Sequence, residues 1–176
     1  LRRIVDDGSV AAVFCKMLPY DGTPIKETLM AQGRFNGDVC NPDYDFLDPR
    51  IARCYEAIGR TVGEWVRGSD CVAAMINHAW HEVFVMERLF EPAADLVAYK
   101  TALSAVTKFS NNILFSVVEE ICDGFREGGG ECQQYSGLGQ IREQILATLV
   151  QQRNRFVYEN QSWLLKGISK QTLVTA

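Results

Sequence analysis

The segment at residues 71–90 limits the fold most. Cys71, Val72, Ala73, Met75, Ile76, Ala79, Trp80, Val83, Phe84, Met86 and Leu89 cover most of the circumference of a helix that closes at Phe90. A helix apolar on nearly every side has to be enclosed by others, so the stretch predicts the centre of a helical bundle. The membrane, the other home for such a helix, is excluded by Asn77, His78, His81, Glu82, Glu87 and Arg88. They interrupt a run that would need roughly 18 to 20 apolar residues to cross a bilayer.

The flanking sequence supplies the enclosing helices. At residues 49–68, Ile51, Cys54, Tyr55, Ile58, Val62, Trp65 and Val66 recur at three-and-four spacing, with Asp48 as N-cap, Pro49 at the first position and Gly68 as the left-handed stop. Ser69 or Asp70 is expected to cap the central helix. Pro92 opens a third helical stretch from Leu96 to Ile121, with a break expected near Ser110-Asn111-Asn112. Beyond a loop containing Gly128-Gly129-Gly130, Ile141, Ile145, Leu146, Leu149, Val150, Phe156 and Val157 mark a last long helix. Trp163-Leu164-Leu165 suggest a short further turn, and residues 169–176 a frayed tail.

Before residue 49 the pattern is weaker. Leu1, Ile4 and Val5, then Val10, Val13, Phe14, Met17 and Leu18, predict one or two short helices interrupted near Gly8-Ser9, and Thr23-Pro24 begins another through Leu29 and Met30. Residues 33–48 read as an ordered loop. With no alternating strand pattern, repeat or linker, the expectation is one all-α domain over residues 1–176, of about five to seven helices around 71–90. At 176 residues and 47% hydrophobic content, the chain is large enough for a real core.

A net charge of −4 disfavours nucleic acid, because the basic spots are short: Arg2-Arg3, Arg153 with Arg155, and Lys166 with Lys170. The chain opens at Leu1 with neither an initiator Met nor a charged-then-apolar leader, as expected of a processed protein or a piece of a longer one. The six cysteines form no C-x-x-C spacing, so structural zinc is not expected. Cys71 and Cys122 sit on apolar helical faces. Cys122 with Cys132, or Cys40 with Cys54, are candidate bridges in an oxidising compartment. The compartment itself is left open.

The two histidines, His78 and His81, share a helical face with Glu82 close by. Such a set can ligate a metal, although the order is not His-Glu-x-x-His. The competing expectation is hydrogen-bonded histidines at the core edge. An imidazole on an apolar helix also suits an axial haem ligand, but nothing near Trp80 and Phe84 singles that out. Asn41, Asp43 and Asp45 alternate like half an EF-hand loop, but Phe46 and Ala52 occupy the positions that need Gly and Glu. Asp43, Asp45 and Asp48 are therefore expected to serve turns and a helix cap.

Asn112, Ser116 and Glu120 lie four residues apart, which lines three oxygen ligands along one helical face. Over about ten residues this resembles the second metal motif of class I terpene synthases, and the resemblance implies a magnesium-bound diphosphate. The aspartate-rich partner motif has no counterpart: Asp6-Asp7 is followed by Gly8, Ser9 and Val10. At the N-terminus, residues 1–7 resemble the Leu-x4-Asp pattern of BH3 segments in Bcl-2-like proteins, but no Asn-Trp-Gly-Arg follows. No family is assigned.

The functional expectation is a non-enzymatic helical interaction module or assembly subunit, without a cofactor, acting on a protein partner or on a second copy of itself. Tyr20, Phe35, Tyr44 and Trp163, in or near irregular segments, are its candidate anchors. The alternative is a metal- or cofactor-dependent helical enzyme or binding protein. That reading would use His78, His81 and Glu82, or the Asn112-Ser116-Glu120 stripe.

Overall fold

The protein is all-α. Its computed structural model describes residues 2–90, 94–127 and 135–172, so Pro92, the Gly128-Gly129-Gly130 run, Cys132 and the last four residues lie outside the described residues. After a 3-10 turn at Arg2–Ile4 come α1 (Pro24–Ala31), α2 (Pro49–Val66), α3 (Val72–Leu89), α4 (Ala94–Arg126), α5 (Leu138–Glu159) and α6 (Gln161–Thr172). Among the described residues there is no strand, only an isolated antiparallel bridge between Phe35 and Tyr44. No helix among them is long and apolar enough to cross a membrane.

The chain divides into two compact units, and two of the boundaries between them fall inside α2 and α4. The first unit comprises Leu1–Val13, Val62–Val118 and Gln134–Ala176; the second comprises Phe14–Thr61 and Glu119–Gln133.

In the first unit α3 packs on α5; Val72, Ala73, Ile76, Ala79, Val83 and Met86 are buried on α3, and Ile145, Leu149 and Phe156 on α5. Cys71 caps α3, its sulfur accepting the Ala74 N–H at 3.3 Å, so neither Ser69 nor Asp70 serves as the cap. The enclosure of α3 is incomplete: Phe84 and Leu89 are exposed. Tyr99 stacks on Phe156 at 4.8 Å, Trp163 meets Phe156 edge-on, and Phe90 lies 5.3 Å from Trp163. This aromatic chain explains why α6 is a full helix and not the short turn that Trp163-Leu164-Leu165 suggested. The helix also holds residues 169–172 of the expected frayed tail. Asn160 makes the corner, its N–H and side-chain amide both donating to the Phe156 carbonyl while its own carbonyl accepts the Leu164 N–H.

Helix α4 runs unbroken through the expected interruption. Ser110 and Asn111 are buried and have tertiary partners. The Trp65 indole N–H donates to Ser110 Oγ at 3.0 Å. The Asn111 side chain accepts the Ala12 N–H at 2.8 Å and donates to the Val10 carbonyl at 3.0 Å, pairing an extended segment as a neighbouring strand would. Residues 11–20 therefore form no helix, contrary to their spacing, and Val13, Met17, Leu18 and Tyr20 are exposed. Gly8 sits at φ +71° with its Cα against Ser104, where a β-carbon would collide with the Ser104 carbonyl. Ser104 Oγ donates to the Asp7 carbonyl at 2.5 Å.

In the second unit the loop at 33–48 is ordered by polar contacts. Asp38 accepts the N–H groups of Cys40 and Asn41, the Asp43 carbonyl accepts those of Asn36 and Gly37, and Arg34 donates to the Asp45 carbonyl. Asp48 caps α2 as expected, accepting the Arg50 N–H at 2.8 Å. Lys16 is the hub. Its ammonium meets Asp43 at 2.5 Å and the Tyr44 carbonyl, and lies 4.4 Å and 4.9 Å from the ring centroids of Tyr44 and Phe46.

Candidate functional site

A concavity of about 800 Å³ lies in the first unit, between the C-terminal half of α3 and the N-terminal half of α4. Trp80, Met86 and Phe90 form one wall, and Leu96, Val97 and Ala105 the other. Trp80 is held in place by its indole N–H, which donates to Thr107 Oγ1 at 3.3 Å, while that hydroxyl donates to the Leu103 carbonyl at 2.8 Å. Every polar atom in this relay is satisfied, so the Trp80 ring presents an apolar wall without an unpaired donor behind it.

Helix periodicity places a polar row on the rim. Lys100, Ser104 and Lys108 recur every four residues along α4 and all line the groove. Lys100 pairs with Glu87 at 2.6 Å across the mouth, and both side chains are part-exposed. Lys108 is exposed, and its positive charge acts on Asp7, whose carboxyl is held below its ordinary value first by hydrogen bonds from Ser9. From Leu96 to Lys108 the α4 wall extends about 18 Å, or some three helical turns. The result is an open trough with an apolar floor and a lysine-bearing edge.

The histidine set does not come together as a ligand group. His78 and His81 are both exposed instead of lying at the core edge, and the His81 ring stacks on Phe84 at 6.5 Å. Glu82 is taken by Arg153, whose Nε lies 2.9 Å from both carboxylate oxygens. A carboxylate held by a guanidinium fork is a poor metal ligand. Among the described residues no group of three His, Cys, Asp or Glu side chains can hold a metal ion.

Asn112, Ser116 and Glu120 are exposed along α4. The structure brings Asp6 to Asn112 in a small pocket of about 150 Å³, but Arg2 and Lys108 line it too. The Arg2 guanidinium lies 5.3 Å from the Phe115 ring centroid and 3.4 Å from Ser116 Oγ. Cations occupy the place where a magnesium-binding stripe would need further carboxylates.

Of the aromatic anchors expected from sequence, Tyr20 is exposed, while Tyr44 is buried beside Phe46. Phe35 lies beneath the Lys26 ammonium at 4.5 Å, and Trp163 belongs to the aromatic chain of the first unit. Sequence reasoning missed the groove because Trp80, Met86, Leu96 and Val97 carry the same spacing as core residues. The row Lys100, Ser104 and Lys108 was its one visible signal.

Comparison with known proteins gives no matching family model, and no curated protein or solved structure similar to this chain.

Proposed function

We propose that the protein is a non-enzymatic helical interaction module whose α3–α4 groove receives an acidic amphipathic helix from a protein partner. The observation that carries this reading is the pairing of the apolar trough with Lys100 and Lys108 on its rim. Helix-in-groove recognition uses apolar anchors every three to four residues, and the trough's length of about three turns accommodates two or three of them. Lysines on the edge favour carboxylates on the flank of the incoming helix and set its orientation more than its affinity. Ala105, exposed on the α4 wall, offers a place to block the groove without touching the core.

The test is selection of displayed 16-residue peptides on the immobilised full chain, counter-screened on Ala105→Trp. Enrichment of acidic sequences with helical apolar spacing, with binding reduced at least tenfold by Ala105→Trp, supports the reading. Failure to enrich, or enrichment insensitive to Ala105→Trp, overturns it. Circular dichroism of the variant verifies that the fold is retained.

A further inference from the structure

Independently of the groove, the second unit holds two thiols face to face. Cys54 on α2 and Cys122 on α4 are 68 residues apart in sequence, yet their sulfurs lie 3.7 Å apart, both part-buried. This is not the pairing that spacing suggested. Cys40 is exposed and free, and Cys132 lies outside the described residues. A disulfide needs its sulfurs at about 2.0 Å, and thiols in van der Waals contact on adjoining helices need only a modest approach to reach it.

We propose that Cys54 and Cys122 form a reversible disulfide on exchange with a small-molecule disulfide, clamping the second unit's portions of α2 and α4. One protein thiolate attacks the small disulfide, its S–S bond breaks, and one small thiolate leaves with a mixed disulfide formed on the protein. The second protein thiolate then attacks that protein sulfur, forming the Sγ–Sγ bond and expelling the other small thiolate. The two protein thiol protons end on the two small thiols, so two thiols are oxidised and one disulfide is reduced. Burial, and then the hydrogen bond shared with Cys122, push the Cys54 thiol up to about 11, so exchange is slow at neutral pH and speeds up as pH rises.

The test is to equilibrate the full chain in glutathione buffers of stepped redox ratio, quench with acid, alkylate with N-ethylmaleimide and map peptides. The expected result is a mass loss of about 2 Da, a peptide cross-linking Cys54 to Cys122, and joint loss of alkylation at both. In Cys54→Ser, Cys122 is then expected to retain a glutathione adduct, because the resolving thiol is gone. Full alkylation of both residues at every ratio overturns the proposal, as does a cross-link that joins either residue to another cysteine instead. Folding of Cys54→Ser is verified by circular dichroism, and the wild-type cross-link map stands as the deciding readout if that variant does not fold.

Discussion

The two units use the same chain chemistry in opposite proportions. The first is held by side chains that have almost wholly left water: Ile76, Leu103, Leu114 and Ile145 are almost fully buried, and the buried hydroxyls of Thr107 and Ser110 among them are matched to partners. The second has a shorter inventory of buried side chains, Leu29, Tyr44 and Ala57 among them. There the Lys16 ammonium gathers a carboxylate, a carbonyl and two aromatic rings, and the buried Lys26 pairs with Asp21 over the Phe35 ring. Apolar burial yields roughly 25 cal/mol per Å² whatever the pH, whereas a lysine hub on a half-wet loop responds to pH and salt. The two regions therefore differ in what can break them.

The largest expected effect is in the first unit. Ile76→Ala leaves a cavity beside α3 where the side chain is fully buried, and is expected to cost about 3 kcal/mol in denaturant unfolding. Asn111→Ala, which strips both hydrogen bonds from the extended backbone at Val10 and Ala12, is expected to cost about 2 kcal/mol. It should also speed amide exchange at Ala12 while leaving α5 unchanged.

In the second unit, Lys16→Met is expected to cost about 1 kcal/mol, because Asp43 is well exposed and the pair is screened. Its signature is pH dependence. The Lys16 hydrogen bond holds the Asp43 carboxyl below its ordinary 3.8. The stability it contributes is present in full above about pH 4 and is lost as pH falls through the lowered value. The Tyr44 N–H also lowers the Asp43 carboxyl, so that acid-side loss should shrink without vanishing in Lys16→Met, and persist unchanged in Ile76→Ala.

The smallest effect sharpens the contrast from the other side. Tyr99 is buried with a hydroxyl that has no hydrogen-bond partner among the described residues, and burial, then the Glu82 carboxylate, push it up to about 12. Tyr99→Phe is expected to be neutral within about 0.5 kcal/mol, or slightly stabilising, since it removes an unsatisfied group and keeps the ring on Phe156. Wild-type stability should fall from about pH 10 toward 12, where the unfolded phenol ionises first, and this loss should be weaker in the variant.

The same contrast explains what could be read from the sequence. Helix α2 was legible because its signals are local: Asp48 caps it, Pro49 fits its first turn, and Gly68 takes φ +99° beyond its end. The expected break in α4 was misread because Ser110 and Asn111 compete with helical backbone only when they lack partners elsewhere. Here Trp65 and the extended segment occupy them. Val10, Val13, Phe14, Met17 and Leu18 have helical spacing without a helix, since periodicity records which residues could share a face and not whether a face is buried. The groove stayed hidden for the converse reason. Its walls read as core, and only the fold shows that α3 and α4 leave them open over Trp80 and Val97.

Under the proposed interaction role, two apolar surfaces compete as the place where a partner would bind: the groove of the first unit and the exposed Met17, Leu18 and Tyr20 of the second. Amide hydrogen exchange of the full chain, with and without a saturating peptide selected on it, separates them in one measurement. Slowed exchange concentrated in residues 80–90 and 96–108, with 14–20 unchanged, is the expected result; protection confined to 14–20 would overturn the groove as the binding site.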